Sequence, residues 1–178
     1  MNHFEFYEIP VSFYPDLTDL KQRFLKKSKL FHPDFHTLAS DEMQAETLDK
    51  ASQNNQAYLV LSDFDKRLKY ILELAGMLEE GKNEIPQEFL LEMMDINEAI
   101  MELEFDFDEQ IFQKTFEDVE ALESALLADV LPVMETFEEG KTTAAELIPV
   151  RDFFLKRRYL WRLKENLNKF APASKEAR

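Results

Sequence analysis

The sequence predicts an all-α protein, and three observations carry that prediction. Of the 178 residues, 45% are hydrophobic, enough to build a core, while three glycines and seven prolines leave little turn chemistry for a many-stranded sheet. Apolar residues recur at helical spacing in successive blocks. Short polar stops separate those blocks. The length admits one compact domain or two small ones, since domains commonly run to about 100–150 residues.

The first sustained block is 17–31. Leu17, Leu20, Phe24, the stem of Lys27 and Phe31 follow helical spacing, Leu30 widens the stripe, and Asp16 suits the N-cap. Pro33 ends this helix, because the residue before a proline is pushed out of the α region, so 32–40 reads as a loop. A second helix starts near Ser40, where Ser-Asp-Glu-Met offers a cap followed by acids, and runs through Met43, Leu48, Ala51, Asn55, Tyr58 and Leu61. Two amphipathic helices around a polar loop predict an antiparallel helical hairpin. A third, shorter helix follows Ser62 and closes at Gly76, a favourable C′ residue.

Residues 77–87 lack an apolar stripe and contain Gly81 and Pro86, which places the domain boundary there. The division is an N-terminal domain over 1–76, a linker over 77–83, a C-terminal domain over 84–171 and a fraying tail over 172–178. Three helical blocks follow the linker, at about 87–104, 108–138 and 143–170. Their stripes start from Phe89, Phe112 and Phe153, and three stripes predict a three-helix bundle. Pro132 is expected to bend or divide the middle block, and Pro149 to sit at or near the start of the last one.

Charge is segregated along the chain. The formal net charge is -15, and Glu84 to Glu146 holds nineteen acids against Lys114 and Lys141. Arg151 to Arg178 reverses this with nine bases and three acids, so the last helix is expected to lie among the acidic two, held by solvated pairs worth about 0–1 kcal/mol each. The acidity opposes general nucleic-acid binding, which needs a coherent basic surface. With no cysteine there is no disulfide, thiolate metal site or cysteine nucleophile. The opening "MNHFEFYEIP" resembles neither a secretory signal nor an organelle presequence, and no apolar stretch approaches the ~20 residues of a membrane span. The expectation is a cytoplasmic protein that binds neither membrane nor nucleic acid. His3 reads as a surface histidine near the terminus.

Against this acidity, "LKQRFLKKSKLFHPDFH" gathers five bases before a polar stop. The chemistry suits docking: Pro33 fixes the loop backbone, so His32 and Asp34 have less conformational entropy left to lose on association. Lys26 and Lys29 can meet acids on a partner and speed encounter. The rival reading is a metal-dependent hydrolase built on His32, Asp34 and His36, since histidines four apart on a helix can share a metal. Pro33 lies between them and disrupts that helix, and elemental analysis would decide the matter.

A second constellation lies in "FLLEMMDINEAIMELE". Advancing about 100° per residue from Phe89, the core stripe falls within about 40° of zero, whereas Leu90, Met94 and Met101 fall near 100–140°. Leu91, Asp95, Glu98 and Glu102 follow at about 180–240°. This shoulder either touches the third helix or stands exposed, in which case adaptable methionines rimmed by carboxylates suit a protein-binding surface.

The run "KLFHPDF" after a basic helix, followed by a helix with "NNQAYLVLSD" and Arg67, resembles the J-domain of DnaJ-type co-chaperones. The order "FEFYEIP", the basic helix, "RLKYILELAG", "FLLEMMDINEAI" and a late "RYLWRLKENL" resembles the HscB family, the J-proteins of iron–sulfur cluster assembly. Phe35 and His36 depart from the lysine and the residue that usually follow the tripeptide. The resemblance implies two partners: an HscA/DnaK-type ATPase chaperone, met through Lys26, Lys29, His32, Pro33 and Asp34, and the scaffold protein IscU. For the scaffold, the matching positions are Leu90, Leu91, Met94, Asp95, Glu98 and Glu102, with Tyr159 as the aromatic of the last helix and Phe153 and Phe154 as its rivals. It implies no catalytic residue and no cofactor in this chain. A J-domain co-chaperone whose bundle binds a different client is the alternative.

Overall fold

The computed structural model describes residues 1–35, 40–79 and 84–170. Its elements are α1 (His3–Tyr7), α2 (Leu17–Leu30), a 3-10 turn (Pro33–Phe35), α3 (Asp41–Ser62), α4 (Phe64–Leu74), α5 (Gln87–Glu92), α6 (Met94–Phe105), α7 (Glu109–Glu135) and α8 (Ala144–Asn168). The fold is all-α, with an α2–α3 helical hairpin followed by a helical bundle. Two compact units share the chain: Met1–Gly76 with Met134–Thr143, and Met77–Val133 with Ala144–Arg178. The sequence division had given all of 84–171 to one domain. Met134–Thr143 instead groups with the N-terminal unit, where the Phe137 ring meets Phe13 edge-on with centroids 5.0 Å apart.

In the N-terminal unit, local signals start the helices where the sequence placed them. Asp16 Oδ1 accepts from the Thr18 and Asp19 N–H groups at 2.8 and 3.1 Å, and Ser40 Oγ from Met43 N–H at 3.4 Å, so both helices gain partners for otherwise orphaned donors. Gly76 takes φ +67 just past α4, a left-handed conformation that strains any residue with a Cβ. α2 and α3 pair through the stacked rings of Phe24 and Tyr58, 4.2 Å apart, and through Asn54. The Asn54 amide donates to Ser28 Oγ at 2.9 Å and to the Phe24 carbonyl at 3.2 Å, and the Asn54 side-chain and backbone oxygens lie 2.8 Å from the Tyr7 hydroxyl that donates to them. Burial pushes the Tyr7 hydroxyl pKa far above its usual value, which keeps it a donor.

Two expected stripes shift. Leu30 and Leu17 do not join the core and stand 60% and 49% exposed, leaving Leu20 as the buried residue of α2. On α3, Met43, Leu48 and Asn55 are exposed, and the buried face runs through Thr47, Asn54, Ala57 and Leu61. Half of that face is polar, and hydrogen bonds satisfy it: Thr47 Oγ1 donates to the Met43 carbonyl at 2.8 Å, and Asn54 is bonded as described. Apolar periodicity cannot reveal a buried face built from threonine and asparagine.

His3 is half-buried rather than freely exposed. Its ring stacks on Tyr70 with centroids 4.5 Å apart, and its backbone N–H donates to the Tyr70 hydroxyl oxygen at 2.9 Å. Burial disfavours the imidazolium and lowers the pKa below 6.5. Between the two pKa values the unfolded chain binds more protons, so the stability His3 contributes is complete above pH 6.5 and is lost as pH falls towards the folded value. An NMR titration is expected to place the His3 midpoint below that of an unfolded peptide. An equal midpoint would refute the burial argument.

In the C-terminal unit, Phe89, Met93, Ile100, Leu103, Val119, Leu160, Leu163 and Leu167 form one buried cluster. The basic last helix lies against acids of α7: Glu123 accepts from Arg157 and from Lys164, the latter at 2.6 Å, and Lys164 reaches Glu120 at 3.7 Å; with Glu123, Arg157 and Lys164 only 18%, 23% and 22% exposed, the Glu123 pairs are partly buried rather than solvated as the sequence suggested. Neither proline divides or begins its helix. α7 runs undivided through Pro132, and α8 begins at Ala144, five residues before Pro149. Each proline costs one backbone bond near a helix end, and each sits on an exposed position, where water can serve the freed carbonyl.

Candidate docking surfaces

The first surface is the tip of the α2–α3 hairpin. The N–H of Phe31 closes α2 on the Lys27 carbonyl at 2.9 Å, and Pro33 then opens a single 3-10 turn closed by Phe35 N–H on the His32 carbonyl at 3.1 Å. The Asp34 N–H donates to His32 Nδ1 at 3.2 Å, which makes Nδ1 an acceptor and leaves Nε2 to carry the ring proton. Asp34 Oδ2 lies 3.7 Å from the same nitrogen, too far for a hydrogen bond, so its carboxylate remains available to an outside donor. The His32 and Asp34 side chains are 52% and 83% exposed. A turn that orients one donor and one carboxylate without burying either is suited to meet another macromolecule.

The lysines of α2 divide by face. Lys27 turns inward with Nζ 4.6 Å from the centroid of Phe6, whereas Lys26 and Lys29 are exposed on the preceding turn. Phe35 is 74% exposed, its ring edge-on to His32 at 5.8 Å. His36 lies outside the described residues, and with it the rival metal triad. Among the described residues, no three His, Asp or Glu side chains gather as metal ligands.

The second surface lies on α5 and α6. The helix opens at Met93, whose ψ of -1 is far from the helical value, while Asn97 Nδ2 donates to the Met93 carbonyl at 2.7 Å. Phe89 and Met93 are buried, and Leu90, Leu91 and Met94 stand 39%, 64% and 61% exposed. The Leu/Met shoulder therefore faces outward and does not pack on the third helix. Glu98 is exposed on the same face of α6 as Met94, while Asp95 and Glu102 lie further round, where they line a groove with Lys114 and Asp118 of α7.

Tyr159 marks the opposite edge. Its ring packs edge-on to Phe89 at 5.8 Å, and its hydroxyl oxygen accepts from Asn97 Nδ2 at 2.9 Å. It is half-buried, whereas its rivals Phe153 and Phe154 are 2% and 4% exposed and belong to the core. Asn97 was not singled out in the sequence. Its signal was its place at about 80° on the helical wheel, between the core stripe and the shoulder.

No protein-family model matches the chain. A co-chaperone protein HscB homolog of Vibrio parahaemolyticus is 32% identical over 137 residues, spanning 71% of this chain and 80% of that relative. The chain belongs to the HscB family. The HscB homolog of Vibrio cholerae extends the likeness nearly end to end, at 27% identity over 172 residues, 95% of this chain and 96% of the relative. The solved chaperone HscB from Vibrio cholerae is similar in fold, with a TM-score of 0.68 and 26% identity over 95% of this chain and 96% of that one. The human co-chaperone HscB shares the fold at a TM-score of 0.74 and 23% identity, covering 95% of this chain and 81% of that one. This HscB-family chain carries both constellations, the tripeptide turn and the Leu/Met shoulder, exposed to solvent. Among the described residues, no helix is long and apolar enough to cross a membrane.

Proposed function

We propose that the protein is an adaptor in iron–sulfur cluster assembly, acting in the cytoplasm and performing no chemistry of its own. The turn at His32, Pro33 and Asp34, with Lys26 and Lys29 beside it, engages an HscA/DnaK-type chaperone and stimulates that partner's ATP hydrolysis. Leu90, Leu91, Met94, Asp95, Glu98, Glu102 and Tyr159 hold an IscU-type scaffold protein. The observation that carries this reading is the pairing of two solvent-facing constellations within one chain, neither occupied by the protein's own core.

Two surfaces on one polypeptide convert a three-body encounter into successive two-body ones. Linking raises the local concentration of scaffold at the chaperone, and hydrolysis on the partner then shifts it to a state that holds the scaffold tightly. The adaptor needs no cofactor for this.

The test measures ATP turnover of the cognate chaperone with this protein, with scaffold, and with both. Stimulation by the two together is expected to exceed the product of their separate effects. Stimulation by this protein alone with no added effect of scaffold would indicate a different client, and no stimulation would remove the adaptor reading. Replacing Leu90, Leu91 and Met94 together by alanine is expected to weaken scaffold binding about 100-fold, since each truncation of a central apolar contact costs about 1 kcal/mol or more. Calorimetric titration checks it, and a loss below threefold would contradict the assignment of this face.

A further inference from the structure

We propose that Phe105 is a further scaffold-contacting residue, the distal anchor of a docking face that runs the whole length of α6. The inference rests on the reading that this face holds an iron–sulfur scaffold protein. Within α6, Met94, Glu98, Met101 and Phe105 recur at intervals of four, three and four residues, so they share one side of a single helix. That row spans about 16 Å at ~1.5 Å of rise per residue. Met94 and Met101 are 61% and 59% exposed, and Phe105, the last residue of α6, is 89% exposed. A phenylalanine so exposed contributes nothing to the core. Leu103, two residues earlier and on the other side of the helix, is 2% exposed and supplies the core contact at this level.

Charge fixes the kind of surface that covers the row. From residue 83 to 113 the chain contains ten acids and no lysine, arginine or histidine. Glu102, Glu104, Asp106 and Asp108 surround Phe105 in sequence, and all four are exposed. Apart from Lys114 of α7, which shares a groove with Asp95 and Glu102, the charges given along this row are carboxylates, and such a surface is complementary to an apolar patch bordered by lysine or arginine and repels an acidic one. The occupant is therefore a scaffold surface with that character, reached first by Leu90 and Leu91 at one end and by Phe105 at the other. The sequence signal was present in the 94, 98, 101 series, which Phe105 simply continues.

The experiment titrates the full chain with the purified IscU-type scaffold of the same organism, comparing native protein with Phe105→Ala, Phe105→Leu and Leu91→Ala. Phe105→Ala is expected to weaken binding about tenfold, Phe105→Leu to recover most of the loss, and scaffold-free stimulation of the chaperone to stay unchanged. Affinity should also fall as salt rises, since the rim is charged. Native affinity in Phe105→Ala together with a tenfold loss in Leu91→Ala would overturn the distal anchor while leaving the docking face in place. Native affinity in both variants would overturn the face and the anchor together.

Discussion

Replacing His32 by glutamine is expected to reduce stimulation of the partner's ATPase at least tenfold, with thermal stability and helix content unchanged. The geometry separates the two readouts. The His32 side chain is half-exposed at the tip, and the hydrogen bond it receives, from Asp34 N–H, lies within the turn itself. Its removal therefore costs the fold little, as substitutions of exposed groups generally do. What glutamine cannot reproduce is the ring: an acceptor at Nδ1 held by Asp34 N–H and a donor at Nε2 aimed away from it. Asp34→Asn tests the other half of the turn by neutralising a carboxylate that is 83% exposed, and the same loss is expected. A glutamine variant that stimulates like the native protein would refute the docking assignment. A variant that loses stimulation together with helicity would show that the turn is structural.

Arg67→Ala is expected to have the opposite profile, destabilising the N-terminal unit by about 3 kcal/mol, because it leaves two buried carbonyls without a donor. Arg67 is only 4% exposed. Its Nε donates to the Phe13 carbonyl at 2.9 Å and its Nη1 to the Leu61 carbonyl at 2.5 Å, so one guanidinium ties the loop before α2 to the end of α3. Its Cζ also lies 5.8 Å from the Phe64 ring centroid. Burial lowers the arginine pKa, while Asp63 and Tyr14 act against that shift, yet the group stays cationic because its usual value lies so high. Lysine should fail to rescue, since a point charge cannot reach two carbonyls in a planar fork. Thermal unfolding followed by circular dichroism is the measurement, with a fall of about 12 °C expected from ~4 °C per kcal/mol. A shift under 2 °C would mean that water replaces the guanidinium at both carbonyls.

Much of the fold was legible because local signals decide helix ends. Asp16, Ser40 and Gly76 act through bonds and dihedrals within a few residues, so they mark the same positions in the sequence and in the structure. The core stripe of α5, α6 and α8 was legible for a related reason: Phe89, Ile100, Leu103, Leu160, Leu163 and Leu167 are apolar on the side that packs. The buried face of α3 was not, because two of its positions are polar: Thr47 is satisfied by the Met43 carbonyl one turn earlier, and Asn54 by Tyr7, Phe24 and Ser28, which lie far along the chain. The prolines misled for the reverse reason. Their helix-breaking tendency is an average over contexts, and exposed positions near helix ends are where its cost is smallest.

The candidate sites divide in the same way. The tripeptide and its flanking lysines were readable because proline and charge act locally, although only the fold shows that Lys27 turns onto Phe6 while Lys26 and Lys29 face solvent. For the second surface the sequence by itself determined the angular order on the helix: core stripe, then Leu/Met shoulder, then carboxylates. Whether that shoulder was covered could be decided only by the tertiary structure, because a helical wheel gives direction but not neighbours. The packing of α8 supplied the answer, placing Tyr159 against Phe89 and Asn97 and leaving Leu91, Met94 and Phe105 in water. Burial is a property of what else arrives at a surface, and no single segment encodes that.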